Sequence, residues 1–166
     1  MVLKLYGVSI ATCTRTVAAV AKELNVPYEL VEIDFANAEH KSPAFTAIQP
    51  FGQVPYIDED GFKLFESRAI ARYLAKKYAS QGTKLIPTDP KEEAIFEQGV
   101  SIEQSHFYPV TLAIAAEKTF KPMRGLSPDE VVVEEQLKAL EVKLDAYDII
   151  LGRQKYIGGN SSPTFP

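Results

Sequence analysis

The chain has 166 residues, with 46% hydrophobic and 24% charged side chains and a formal net charge of −4. That length holds one ordinary domain, or one domain and part of another, and the composition is that of a globular protein. The acidic balance lacks the basic footprint of a nucleic-acid binder, and no apolar run approaches the ~20 residues of a membrane span. The single cysteine forms no internal pair, as in a reducing compartment. The chain enters Val2–Tyr6 at once, which predicts no signal peptide and a cytoplasmic location.

Val2–Tyr6 predicts a strand ended by Gly7, and Thr14–Asn25 a helix with Val17, Val20, Ala21 and Leu24 on one face. Tyr28–Asp34 is a second strand, parallel to the first across a right-handed crossover. Ser42-Pro43 opens a short helix that Pro50 ends. Strands at Val54–Asp58 and Phe62–Phe65 flank a three-residue loop, Glu59-Asp60-Gly61, and Ser67 caps a helix carrying Ile70, Leu74 and Tyr78. That helix stops near Ser80-Gln81-Gly82.

The rest reads as helix. Asp89-Pro90-Lys91-Glu92 is a capping box, and Pro109 should kink or break the helix it opens. Ser127-Pro128-Asp129-Glu130 is a second box, leading into a stripe of Leu137, Leu140, Leu144, Tyr147 and Leu151. The expected organisation is an α/β domain over 1–82, a linker over 83–90 centred on Leu85–Pro90, and a partial all-helical domain over 91–166. Gly158 onward is turn chemistry with no element after it. Two striped helices do not close a helical core, so exposed apolar faces are expected.

Pro55 beside an apolar strand needs a local reason, such as an edge, a bulge or a cis bond. Glu66-Ser67 puts a carboxylate and a hydroxyl where a helix presents unpaired N–H groups. Alone, each has a plain structural explanation. In order, with the correct elements between them, they describe a cradle for a small ligand with a backbone-like portion and an anionic end.

The run Pro-Phe-Gly-Gln-Val-Pro … Leu-Phe-Glu-Ser-Arg-Ala-Ile over 50–70 resembles the glutathione transferase family, most closely its phi class. The resemblance implies a thioredoxin-like N-terminal domain that holds glutathione as co-substrate, and an all-α C-terminal domain, here incomplete, that holds a hydrophobic electrophile. It implies no metal, nucleic acid or membrane. Val54 would pair its backbone with the cysteinyl unit, Pro55 would be a cis-proline, and Glu66 and Ser67 would take the γ-glutamyl end beside Gln53. His40 and Lys41 match residues that reach the glycine carboxylate. Phe51 matches an aromatic key at a homodimer contact.

One position departs from the pattern. The family's run Ser-Thr-Cys-Thr-Lys-Arg-Val is Ala11-Thr12-Cys13-Thr14-Arg15-Thr16-Val17 here, so the catalytic serine falls on Ala11. Conjugation needs a thiolate, stabilised by hydrogen-bond donors or positive potential. Thr12, Ser9 or the N–H groups of the first helix, starting from the Ala11 backbone, could supply them. The leading expectation is a transferase conjugating the glutathione thiolate to electrophiles, with Thr12 as the substitute donor. The alternative is a glutathione- or conjugate-binding protein of little turnover. A thiol transferase using Cys13 is the third reading, with Cys13 turned roughly 200° from the active position.

Overall fold

A computed structural model describes residues 2–160. Among these the chain divides into two compact units, 2–86 and 87–160. The Ser161-Ser162-Pro163-Thr164 stretch of the expected C-terminal turn chemistry lies outside the described residues.

In the first unit, β1 (Leu3–Gly7), α1 (Thr12–Glu23) and β2 (Tyr28–Glu32) form the predicted strand–helix–strand unit, with the two strands parallel. A single 3₁₀ turn (Glu39–Lys41) precedes the short α2 (Pro43–Thr46). Then come β3 (Tyr56–Glu59), β4 (Phe62–Phe65) and α3 (Ser67–Lys77). The strand order is β2-β1-β3-β4, with β3 antiparallel to both neighbours. Strand alternation decides the two faces. Leu3, Leu5 and Ile57 point to the side where Val17, Val20, Leu24, Ile70 and Leu74 pack, all buried. On the opposite side Tyr56 packs with Ile33 and Phe45.

Several boundaries differ from the sequence expectation for local reasons. Helix α1 begins at Thr12, two residues early, and Asn25 at φ 53° comes just after its end. The hairpin loop is two residues, because Glu59 already pairs with Phe62. Asp60 and Gly61 both take positive φ, 54° and 90°, as a type I′ turn requires. Ser67 is not the cap of α3 but its first residue; the cap position is Glu66. Leu85 is 5% exposed and belongs to the first unit's core rather than to a free connection.

The second unit is helical. Asp89 caps α4 (Pro90–Ile102), its carboxylate accepting the Lys91 and Glu92 N–H groups at 3.0 and 3.1 Å. Pro109 does not end the helical run. The chain widens into a π-helical turn (Glu103–Phe107) before α5 (Tyr108–Ala115), which frees the hydrogen bond a proline cannot make. A second π turn (Ala116–Phe120) and a 3₁₀ turn (Pro122–Arg124) lead to α6 (Glu130–Leu151). The cap of α6 is Asp129, not Ser127: its carboxylate takes the Val131 and Val132 N–H groups. Glu117 reaches back to accept the Asp129 N–H at 2.7 Å.

The glycine-rich segment is docked, not loose. Gly158 and Gly159 are buried, and a Cβ on Gly99 would sit 2.8 Å from the Gly158 Cα, so the backbone lies directly on α4. Of the predicted stripe on α6, Leu137, Leu144 and Leu151 stay open to solvent, exposed by 45%, 43% and 45%, while Leu140 and Tyr147 are half-buried, Tyr147 beside Phe107.

Candidate functional site

Sheet register gathers the predicted residues at one end of the first unit. Tyr6 pairs with Tyr56 across β1 and β3, so the loop leaving β1 emerges beside Val54 and Pro55. Tyr56 also pairs with Phe65, which brings Glu66 and the start of α3 to the same place. Gly7 pairs with Glu32 in the parallel neighbour, so the 33–42 loop leaves from that end too. Residues far apart in sequence thus converge because one strand, β1, has partners of opposite direction on its two sides.

Val54–Pro55 is a cis peptide bond. Among the described residues nothing hydrogen-bonds to the Val54 backbone, leaving its N–H and C=O available to an extended ligand. The preceding loop is fastened twice. Gln49, 2% exposed, accepts the Gln53 N–H on its side-chain oxygen at 3.1 Å. Lys41 donates from Nζ to the Phe51 and Gly52 carbonyls at 3.2 and 2.9 Å. Gly52 stands at φ +61° with the Lys41 side chain so close that a Cβ would meet it at 2.8 Å. Phe51 itself is 66% exposed.

Glu66 has φ 72° and ψ 106°, an uncommon conformation for a residue with a Cβ. Its side chain makes no capping bond, and its carbonyl accepts the Ile70 N–H at 2.9 Å. Ser67 is buried at the head of α3. The combination leaves the positive end of α3 uncapped beside Val54, a suitable seat for a carboxylate.

The His40 ring stacks on Phe35, centroids 4.0 Å apart. Burial, and then the charge of Lys41, lower its pKa, and its Nδ1 is buried with no hydrogen-bond partner among the described residues. Lys41 has two of its three N–H groups on loop carbonyls. Neither residue is therefore the free loop cation that a solvated Glu39-His40-Lys41 run would present.

At the head of α1, Ala11 is the cap residue, with φ −72°, ψ 129° and no side-chain bond to the first turn. Its N–H donates to the Val8 carbonyl at 2.9 Å. Thr12 is the first helical residue and exposed, and its hydroxyl has no partner among the described residues. The Ser9 N–H donates to the Glu32 carboxylate at 3.2 and 3.3 Å. Thr14 sets this loop against the sheet: it is 2% exposed, its Oγ1 accepts the Val8 N–H at 3.3 Å, and it fills the space over Gly7. Cys13 is half-buried and in no disulfide.

Sequence reasoning misses Gln49, Thr14 and Phe35. Only Gly7 signals one of them, since a glycine at a strand end invites a close neighbour. Tyr56, stacked on Tyr6 at 4.4 Å, carries no sequence signal either, and burial with nearby Tyr6 pushes its pKa up to about 12.

Known proteins of one family share this fold. The family model described as glutathione S-transferase, N-terminal domain, matches residues 1–76. The chain is 44% identical over 162 residues to glutathione S-transferase PM239X14 of Arabidopsis thaliana, covering 95% of this chain and 74% of that protein. It is 39% identical to glutathione S-transferase F13 of the same plant, over 97% of this chain and again 74% of that one. The crystal structure of glutathione transferase F7 from Populus trichocarpa superposes with a TM-score of 0.93 at 38% identity, over 98% of this chain and 77% of that one. A glutathione S-transferase I bound with lactoylglutathione superposes with a TM-score of 0.90 at 33% identity, over 99% and 78%. The chain belongs to the glutathione S-transferase family and, within it, to the phi class.

Proposed function

We propose that the site holds glutathione with its cysteinyl unit paired to the Val54 backbone and its γ-glutamyl carboxylate at the head of α3. Glu66 and Ser67 receive that end, and Gln53 lies beside it. The observation that carries this is the convergence of an unpaired Val54 backbone with an uncapped α3 N-terminus. The third N–H of Lys41 is directed to the glycine carboxylate, with His40 beside it. Glutathione supplies the nucleophile, and an electrophilic carbon accepts it.

The bound thiol must lose its proton before it attacks. Positive potential at the head of α1 and the partnerless Thr12 hydroxyl lower its pKa, with Ser9 on the same loop. The thiolate sulfur then bonds to the electrophilic carbon and the leaving group departs with the electron pair. On a chloronitroarene this releases chloride, and the thiol proton passes to solvent. Ala11 contributes only its backbone, so the rate is modest. Loss of one donor to a developing anion raises a barrier by about 3–4 kcal/mol.

The test is conjugation of 1-chloro-2,4-dinitrobenzene beside calorimetric glutathione binding, in the wild type and in Ser67→Ala. The expected result is turnover, with KM for glutathione raised at least about tenfold by the substitution. Binding without turnover would leave the ligand assignment and reject the transferase step; absence of both would reject the site. We further infer a homodimer that uses Phe51, and a cytoplasmic location in keeping with one cysteine outside any disulfide. Among the described residues no helix is long and apolar enough to cross a membrane.

A further inference from the structure

We infer that Glu59 is a positioning residue for glutathione, an inference that rests on the ligand reading proposed above. Glu59 ends β3 and is 8% exposed. Its Oε2 accepts the Tyr73 hydroxyl at 2.5 Å and the Lys77 Nζ at 2.7 Å, and its Oε1 accepts the Tyr78 hydroxyl. Lys77 also donates to the Tyr73 oxygen at 3.2 Å. Tyr73 and Lys77 stand one turn apart near the end of α3, and Tyr78 is its C-cap. One buried carboxylate gathers three donors from the tail of a single helix.

The head of that helix is Ser67, about 15 Å along the axis from Lys77. β3 spans about 10 Å from Glu59 back to Tyr56, and Val54 lies just before it. Glu59 therefore joins the far ends of two elements whose near ends form the proposed glutathione seat. Strand β4 fixes where α3 begins, because Phe65 pairs with Tyr56. The Glu59 network fixes where α3 ends, and the two points together set the axis along which its first N–H groups point. Between them the contact is apolar, with Ile70 and Leu74 packed in the same core as Ile57. Apolar burial is non-directional and tolerates a small tilt, whereas hydrogen bonds to one carboxylate demand a narrow geometry. Well-packed apolar side chains could hold the helix as firmly at no cost of burying a charge. What the carboxylate adds is one orientation of the γ-glutamyl seat relative to the Val54 backbone.

The test is the Tyr73→Phe/Tyr78→Phe double variant, which removes two donors and keeps both rings and the Lys77–Glu59 pair. Val26→Ala, a truncation of a buried side chain between α1 and β2, is the control for lost stability. S-hexylglutathione affinity is measured by calorimetry well below the melting temperature of each protein. The double variant should bind at least fivefold more weakly, with KM for glutathione raised by a similar factor and kcat within twofold of wild type. Val26→Ala should bind as wild type does. In ligand-free ¹H–¹⁵N spectra the Ser67 and Arg68 amides should shift in the double variant and stay in place in the control. Unmoved amides, or equal affinity in wild type and double variant, would overturn the inference while leaving the ligand reading intact. A wild type that binds no S-hexylglutathione would reject the ligand reading, and the inference with it.

Discussion

The side-chain oxygen of Gln49 accepts the backbone N–H of Gln53 at 3.1 Å from a position only 2% exposed. The Gln49 carbonyl also accepts the Gly52 N–H at 2.9 Å, so a single residue closes the turn and aims the strand that begins after it. Gln49→Leu leaves the Gln53 donor without its partner. It should destabilise the protein by about 1–3 kcal/mol and raise KM for glutathione more than it lowers kcat. Urea unfolding and steady-state kinetics together check this, and an unchanged KM would limit Gln49 to a packing role.

Ala11 occupies a cap position with extended backbone and an open first turn. Ala11→Ser therefore has two effects to distinguish, with separate readouts. A serine that caps α1 adds about 1 kcal/mol of stability and leaves kcat alone. A serine that faces the thiol raises kcat by about tenfold or more and lowers the pKa of bound glutathione. The second result is expected, and the thiolate absorbance near neutral pH separates the two. In Thr12→Ala on the wild-type background the same absorbance should fall.

Glu66 holds φ +72°, where a Cβ is unfavourable. Glu66→Gly should relieve that strain and, after its own entropic cost, leave the protein as stable or more stable by up to about 1 kcal/mol. Glutathione affinity should fall several-fold as the carboxylate is lost. A thermal melt beside calorimetry reads both; clear destabilisation would mean that the conformation is well accommodated.

Glu59 lies at the end of β3, where burial raises its pKa but hydrogen bonds from Lys77, Tyr73 and Tyr78 outweigh it and hold the carboxyl below its ordinary value. The Lys77 contact is 2.7 Å, with Lys77 44% exposed and so partly screened. A depressed folded pKa means that this stability is present above the ordinary glutamate value of about 4.3 and is lost as pH falls through the lower folded value. Glu59→Gln should lower stability at neutral pH by about 1–2 kcal/mol and flatten the acid limb of the stability profile. An acid limb identical to wild type would assign acid sensitivity to other carboxylates.

Phe51 projects from a loop that Lys41 and Gln49 both hold, and it remains 66% exposed. Phe51→Ser should weaken self-association at least tenfold in sedimentation velocity while the monomer keeps its secondary structure. A wild-type chain that is monomeric at micromolar concentration would remove the dimer proposal.

Element types are legible where local chemistry speaks plainly. The β-branched and aromatic strands, the Asp89 cap and the Asp-Gly turn arise from residues within a few positions of one another. The errors also have local causes. Ser127 and Ser67 look like caps, yet Asp129 and Glu66 hold those positions because the chain's entry angle, set by packing, decides where helical dihedrals begin. Pro109 reads as a kink or a break, and only the helix geometry shows which: a π turn absorbs it and the helical run goes on.

The family, the α/β character of the first unit and the motif proposed to face the ligand are all written in the order of residues. They reside in runs such as Gln53-Val54-Pro55 and Glu66-Ser67. How those runs are held is a matter of the folded chain: Gln49 under Gln53, Lys41 across the Phe51 and Gly52 carbonyls, Thr14 over Gly7, and His40 against Phe35. The reason is physical. A buried polar group's partner is chosen by three-dimensional proximity and the cost of leaving it unpaired, and neither quantity can be read from sequence spacing.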